Sequence, residues 1–342
     1  MGVGAPIPKP KPPIPNVMSH ILDGNDPRTI LRAAERLGAG DIVAFPTETV
    51  YGLGANALNE QAVAKVFAAK NRPEFDPLIV HIGDKEAAAK YVTALDQRAR
   101  QLMDAFWPGA LTLVLPKRPI IPDLVTAGLG TVALRMPAHP VALALLRAVD
   151  FPIAAPSANP FGYVSPTTAA HVHDSLGDAV NLIIDGGPCQ VGVESTVCAL
   201  TEQQAVLLRP GGVTLEQIES VIGPVRIGKP TQADKRSPGT LLSHYAPRVP
   251  VLLLKLGAAL PQPEAGERLG LLSLTPRSDA CGYTRTEVLS EDGNLLDAAA
   301  CLFAALRRLD AAGLNRVVIE SVPETGLGRA IMDRLRRAAA RG

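Results

Sequence analysis

The chain has 342 residues and is short of several things that would narrow its function quickly. It has four cysteines, Cys189, Cys198, Cys281 and Cys301, with no C-x-x-C pair and no Cys/His cluster at zinc spacing. That excludes a zinc module or a disulfide framework and predicts ordinary buried thiols in a reducing compartment. Neither sign of charge dominates: 34 lysines and arginines face 33 acidic residues, so no overall field draws the chain to nucleic acid. Aromatics are 4% of the chain, too few for an extended base-stacking platform. No stretch approaches the roughly 20 apolar residues that span a bilayer, and the prolines of the start MGVGAPIPKPKPPIPNV favour an extended polyproline segment over a signal peptide. A cytoplasmic protein with a flexible tail over residues 1–20 is expected. Internal repeats are absent, and Gly326-Leu327-Gly328 falls short of a G-x-G-x-x-G fingerprint.

What the chain does have is alternation. From 21 to 227, short β-rich apolar runs (Ile42–Phe45, Leu78–Ile82, Leu111–Leu115, Val132–Arg135, Ile153–Ala155, Leu182–Asp185, Ser195–Ala199, Ala205–Arg209) are interleaved with helical stretches. The helices are expected at Arg28–Leu37, Glu60–Lys70, Asp96–Phe106, Pro140–Val149, Thr167–Leu176 and Leu215–Ile222. Such interleaving predicts an α/β domain. The pattern lapses over 228–247, read as a linker. It resumes over 248–342 with strands near Val251–Lys255, Leu269–Leu274, Thr286–Leu289 and Arg316–Ser321 and helices near Leu295–Ala312 and Leu327–Ala340, a small doubly wound domain. The arginine-rich last helix reads as a solvated face.

Chemistry-bearing residues gather at segment ends of the first domain. Pro46–Ala57, PTETVYGLGANA, follows a strand with threonines, a glutamate and two close glycines, where open α/β sheets bind ligands; it reads equally as a polar strand-to-helix turn. Lys70 closes a helix and Arg72 follows two residues later. In an extended loop the two would point the same way and clamp phosphate oxygens, although Lys70 alone also suits a helix C-terminus. His81 lies inside an apolar strand, either as a ligand contact or as a satisfied core histidine. Arg135 ends another strand and pairs either with a protein carboxylate or with that of a ligand. Ser157 and Asn159 sit between prolines after a strand, where they can donate to phosphate or ribose or simply turn the chain. Ser195 and Thr196 open one strand, and Arg209 ends the next before Pro210-Gly211-Gly212. Together these place four cations, several hydroxyls and a histidine where a polyanionic substrate needs them.

These segments resemble the YrdC-like family, whose signature pairs K-x-R with a later S-x-N, here Lys70-Asn71-Arg72 and Ser157-Ala158-Asn159. The blocks PTETVYGLG, FWPGALT, LRMP, APSAN, GVESTV and RPG match in the family's order. SPGTLLSHYAP before a second small domain resembles the family's long, two-domain form. The resemblance implies a twisted, largely parallel, mixed α/β domain with a cationic cavity, followed by a Rossmann-like domain. It implies synthesis of L-threonylcarbamoyladenylate from L-threonine, bicarbonate and ATP, with magnesium, for modification of tRNA next to the anticodon. Separate transferase proteins would complete that modification, and direct tRNA binding is possible but not required. By carry-over, Thr49, His81, Arg135, Ala155 and Ser195 would surround threonine. Arg72, Asp76, Thr131, Ser157, Ser165, Arg209 and Tyr245 would hold ATP, with Lys70 and Asn159 completing the signature. The linker would act as a lid, Tyr245 its contact and Pro238-Gly239 its bend. Two alternatives remain beside this expectation: a carbamoyl-transfer enzyme, and an RNA-binding or ribosome-assembly module.

Overall fold

The computed structural model describes residues 20–73, 76–201, 204–228 and 245–340. The expected tail, all but its last residue, lies outside them, as does 229–244, the bulk of the expected linker including Pro238-Gly239.

The first domain is built on one large sheet. Its strands in chain order are β1 (Ile21–Asp23), β2 (Val43–Phe45), β3 (Gly52–Asn56), β4 (Ile79–His81), β5 (Leu111–Pro116), β6 (Thr131–Arg135), β7 (Ile153–Ala154), β8 (Ile183–Asp185), β9 (Thr196–Leu200), β10 (Ala205–Arg209) and β11 (Val225–Ile227). In space they run β1-β8-β2-β3-β7-β4-β6-β5-β9-β10-β11. The sheet is mixed rather than largely parallel: β1/β8, β2/β8, β4/β6, β5/β9 and β10/β11 are parallel, whereas β2/β3, β3/β7, β4/β7, β5/β6 and β9/β10 are antiparallel. Its helices are α1 (Pro27–Gly38), α2 (Glu60–Lys70), α3 (Gln97–Phe106), α4 (Asp123–Thr126), α5 (Pro140–Arg147), α6 (Ala169–Leu176) and α7 (Leu215–Ile222). Local chemistry sets their ends. Asp26 caps α1 by accepting from the Arg28 N–H, and Pro27 supplies the first helical position. Asn59 caps α2, which stops where Asn71 turns left-handed at φ 50°. Thr214 and Gln217 form a reciprocal capping box on α7.

The segment after β2 is not a simple turn. Gly52–Asn56 forms β3, inserted antiparallel between β2 and β7. Glycine is needed there, because a Cβ on Gly54 would lie 2.7 Å from Ile153 Cγ2 and 2.8 Å from Phe45 Cε1.

The second domain has four parallel strands, β12 (Val251–Leu254), β13 (Leu269–Ser273), β14 (Arg285–Val288) and β15 (Arg316–Glu320), in the order β12-β15-β13-β14, with helices α8 (Leu295–Asp310) and α9 (Gly328–Ala339). This is the Rossmann-like arrangement expected. Its apolar core takes in Val50, Val164 and Val193 of the first domain and Tyr245 from the end of the connecting segment. The last helix is not a solvated face: Arg334 is fully buried on Glu194 and Pro210 of the first domain, and Arg337 is nearly buried, paired with Asp333 of its own helix. Of the cysteines, Cys189 and Cys198 are buried as expected, but Cys281 and Cys301 are exposed. Among the described residues no helix is long and apolar enough to cross a membrane.

Candidate active site

A concave cavity opens at the ends of the central strands. Thr47 and Thr49 beyond β2, His81 at the end of β4, Arg135 at the end of β6, Ala155 and Ser157 beyond β7, Ser195 before β9 and Arg209 at the end of β10 all line it. Arg72 and Tyr245 complete the wall. Parallel pairing of β4 with β6 in the register His81↔Arg135 brings the histidine and the arginine to the same edge. Most of the expected site residues therefore converge from separate elements.

Each cation is tied down. Arg72, 8% exposed, pairs with Asp76 at 2.9 Å and donates to the Asp76 and Pro77 carbonyls, with its guanidinium 5.9 Å from the Phe161 ring centroid. Arg135 pairs with Glu48 at 2.7 Å, so of its two open readings the structure shows a protein carboxylate as partner while the side chain still lines the cavity. Arg209 donates to the Ser195 carbonyl at 2.9 Å and the Ser195 hydroxyl at 3.3 Å. Ser195 also shares a hydrogen bond with Thr112 at 2.8 Å, and the Thr47 and Thr49 hydroxyls are 2.8 Å apart.

Five expected site residues do not line the cavity. Lys70 does not share a clamp with Arg72. Helix α2 ends at Lys70 and the left-handed Asn71 breaks any extended run, so Nζ turns inward and donates to the carbonyls of Ser157, at 2.5 Å, and of Asn159. Burial and the neighbouring Arg72 charge pull its pKa well below that of a free lysine, against the preference of two carbonyl acceptors for the ammonium. Asn159 turns its amide back to the Pro160 and Tyr163 carbonyls at 2.9 and 2.8 Å. Asp76 serves Arg72. Ser165 donates to Glu194 Oε1 at 2.5 Å. Thr131 begins β6, four residues from Arg135 and so roughly 13 Å along the strand.

Two residues absent from the sequence-based site matter most electrostatically. Glu48 anchors Arg135 and accepts from the Ala138 N–H at 3.1 Å. Glu194 lines the cavity and pairs at 2.9 Å with Arg334 of α9, which also donates to the Pro210 carbonyl at 2.6 Å. Burial pushes the Glu194 carboxyl up, but the Arg334 and Arg209 charges and the Ser165 hydroxyl overcome it and hold the pKa below the usual value. Each glutamate sits beside a residue that sequence reading does select, in Thr-Glu-Thr and Glu-Ser-Thr, and that adjacency is the available signal. His81 is buried, its Nδ1 has no hydrogen-bond partner among the described residues, and burial with the Arg135 charge lowers its pKa to about 3, so it is neutral at pH 7. Tyr245 adopts φ 63°, stacks near Phe303 with centroids 5.6 Å apart, and lies under the Arg334 guanidinium.

A wall of arginines, hydroxyls and a neutral histidine suits an anionic substrate that also carries hydroxyl or amine groups. Comparison with known proteins agrees. A family model described as "Telomere recombination", the Sua5/YciO/YrdC model, matches residues 35–211. A second, described as "Threonylcarbamoyl-AMP synthase, C-terminal domain", matches 213–340. The threonylcarbamoyl-AMP synthase of Bacillus subtilis is 46% identical over 328 residues, covering 93% of this chain and 94% of its own. The same-named protein of Pyrococcus abyssi is 44% identical, covering 90% of this chain and 93% of its own. A crystal structure of P. abyssi Sua5 complexed with L-threonine superposes with a TM-score of 0.84 at 42% identity, covering 92% of this chain and 95% of that one. With both domains matched and the relatives aligned over nearly their whole lengths, the chain belongs to the threonylcarbamoyl-AMP synthase family in its two-domain form.

Proposed function

We propose that this cavity joins L-threonine, bicarbonate and ATP into L-threonylcarbamoyladenylate with release of pyrophosphate, and that its arginines divide the work. The chain is an enzyme of the threonylcarbamoyl-AMP synthase type with ATP as a substrate. The observation that carries the residue assignment is the convergence of Arg72, Arg135, Arg209 and the neutral His81 on one cavity. Arg135, His81, Thr49, Ala155 and Ser195 form the threonine end, Arg135 facing its carboxylate. Arg72, Arg209, Ser157 and Tyr245 form the nucleotide end.

Threonine's amine must lose its proton to take up bicarbonate carbon as a carbamate, with loss of water. A carbamate oxygen then bonds to the α-phosphorus of ATP as the bond to pyrophosphate breaks. The reactants are anions, so charge neutralisation and alignment supply the catalysis, and no covalent nucleophile is needed. The Cys189 thiol is not one, since burial pushes its pKa far up. The product is a mixed anhydride that water destroys, and the buried Tyr245 helps close the cavity around it.

Among the described residues no group of three His, Cys, Asp or Glu side chains is placed to hold a metal, and Asp76, Glu48 and Glu194 are each paired with an arginine. These side chains do not fit a protein-built magnesium site, and no step is assigned to the ion. The enzyme works in the cytoplasm, and separate transferase proteins pass the threonylcarbamoyl group to tRNA.

The test is to incubate the purified chain with ATP, bicarbonate and single amino acids while following pyrophosphate and the mass of the product. Release that depends on threonine and bicarbonate, with a threonylcarbamoyl-AMP mass, is expected. Equal release without threonine would refute the reading.

A further inference from the structure

Arg334 belongs to the second domain, 140 positions from the glutamate it meets, and nothing in the reaction chemistry calls for it. Yet it is a fully buried arginine, and it grips both segments that present Arg209 to the cavity. Its Nε donates to Glu194 Oε2 at 2.9 Å, just before β9, and its Nη1 donates to the Pro210 carbonyl at 2.6 Å, just after β10. Its guanidinium lies 5.3 Å from the centroid of the cavity-lining Tyr245 ring. Glu194 also feels the Arg209 charge and holds the Ser165 hydroxyl. Two buried arginines therefore share one buried glutamate. If Arg334 left, the Glu194 charge would have Arg209 as its nearest remaining cation, and Arg209 would be drawn off Ser195 to satisfy it.

We propose that Arg334 is a positioning residue contributed by the second domain: it neutralises Glu194 and fixes the segments on either side, so that Arg209 stays on Ser195 at the cavity wall to meet the nucleotide. The proposal rests on the nucleotide role given to Arg209 above. It makes the C-terminal domain part of the active site through one side chain. Threonine binding should be less affected: of the residues given to the threonine end only Ser195 adjoins the disturbed contacts, whereas Thr49, His81, Arg135 and Ala155 belong to segments with which Arg334 makes no hydrogen bond or ion pair among the described residues.

The test is a double-variant cycle in the full chain, with KM for ATP and for threonine read separately. Arg334→Met is expected to raise KM for ATP at least tenfold, while KM for threonine moves less than threefold. Adding Glu194→Gln removes the stranded charge, so R334M/E194Q should return to within about threefold of E194Q alone. The interdomain pair Arg329–Glu216, which does not line the cavity, supplies the control, and Arg329→Gln should leave both constants unchanged. A double variant as impaired as R334M, or KM values that rise together, would overturn the proposal. If R334M does not fold, the double variant still decides: folding with an ATP KM near that of E194Q supports the idea, and failure to fold refutes it. Absence of threonine-dependent pyrophosphate release in the unaltered chain would instead refute the proposed function itself, so the two failures are distinguishable.

Discussion

Replacing Lys70 by methionine separates two accounts of the K-x-R signature. If Lys70 grips phosphate, its loss should weaken ATP binding and leave the unliganded protein stable. The structure instead makes it an internal strut. Its Nζ, with the side chain 1% exposed, donates to the Ser157 and Asn159 carbonyls and so ties the end of α2 to the loop after β7. Two hydrogen bonds from a charged donor contribute about 1.5–3 kcal/mol each. Part of that is offset because a buried ammonium no longer has to be desolvated, and methionine fills similar volume. The net loss is about 2–4 kcal/mol. For a domain of this size each kcal/mol lowers Tm by roughly 2–4 °C, so the unliganded Tm should fall by about 4–16 °C. The assay is thermal unfolding without ligand, paired with ATP affinity at a temperature where the variant is folded. A Tm within about 2 °C of the parent, together with a tenfold or greater loss of ATP affinity, would refute the strut and restore the clamp.

Other perturbations follow from the same geometry. Arg72→Ala should cost about 2–4 kcal/mol of transition-state stabilisation, a roughly 30- to 1000-fold fall in kcat/KM. Because Asp76 would then be buried without that partner, R72A/D76N should recover stability but not activity, as read by Tm beside pyrophosphate release. His81 has a folded pKa of about 3 against 6.5 for a free histidine, so the unfolded chain binds the extra proton and stability is lost as pH falls through 6.5 toward 3. Between pH 7 and pH 5 this removes about 2 kcal/mol, and denaturant titrations of His81→Asn should lack that increment. Gly211→Ala should destabilise by about 1–3 kcal/mol and impair turnover, since its Cβ would lie 2.3 Å from the Glu194 carbonyl oxygen; a Tm and activity equal to the parent's would count against the fit of that loop.

The elements legible in the sequence are those with local punctuation. Asp26-Pro27 and Asn59 announce α1 and α2, and the expected first-domain helices lie within a few residues of their observed ends. Strand β3 is not legible because GLGAN has the composition of a turn. Its glycines answer a crowding by Ile153 and Phe45 that exists only once β2, β3 and β7 are assembled. The cations of the site are visible because an arginine ending an apolar strand is conspicuous. Their buried acids are less so, since Glu48 and Arg135 are 87 positions apart and Glu194 and Arg334 are 140 apart. Arg334 escapes a sequence reading for the same reason: a helix-periodicity argument sees neighbours on its own helix, and the partners that bury this side chain come from another domain.

The pairing of cations with acids also accounts for why overall charge gives no hint of an anionic substrate. Arg72 with Asp76, Arg135 with Glu48, and Arg334 with Glu194 are buried pairs at 2.9, 2.7 and 2.9 Å, and each adds nothing to net charge. A buried pair contributes little to stability over an apolar substitute, whereas losing one member costs about 3–5 kcal/mol. What the pairs do provide is orientation: guanidinium groups already desolvated and held in place do not have to reorganise when the substrate arrives. In this site the same contacts therefore hold the fold and present the charge. A fall in activity on removing any one of these side chains identifies a catalytic contact only when removal of its carboxylate partner restores stability without restoring turnover.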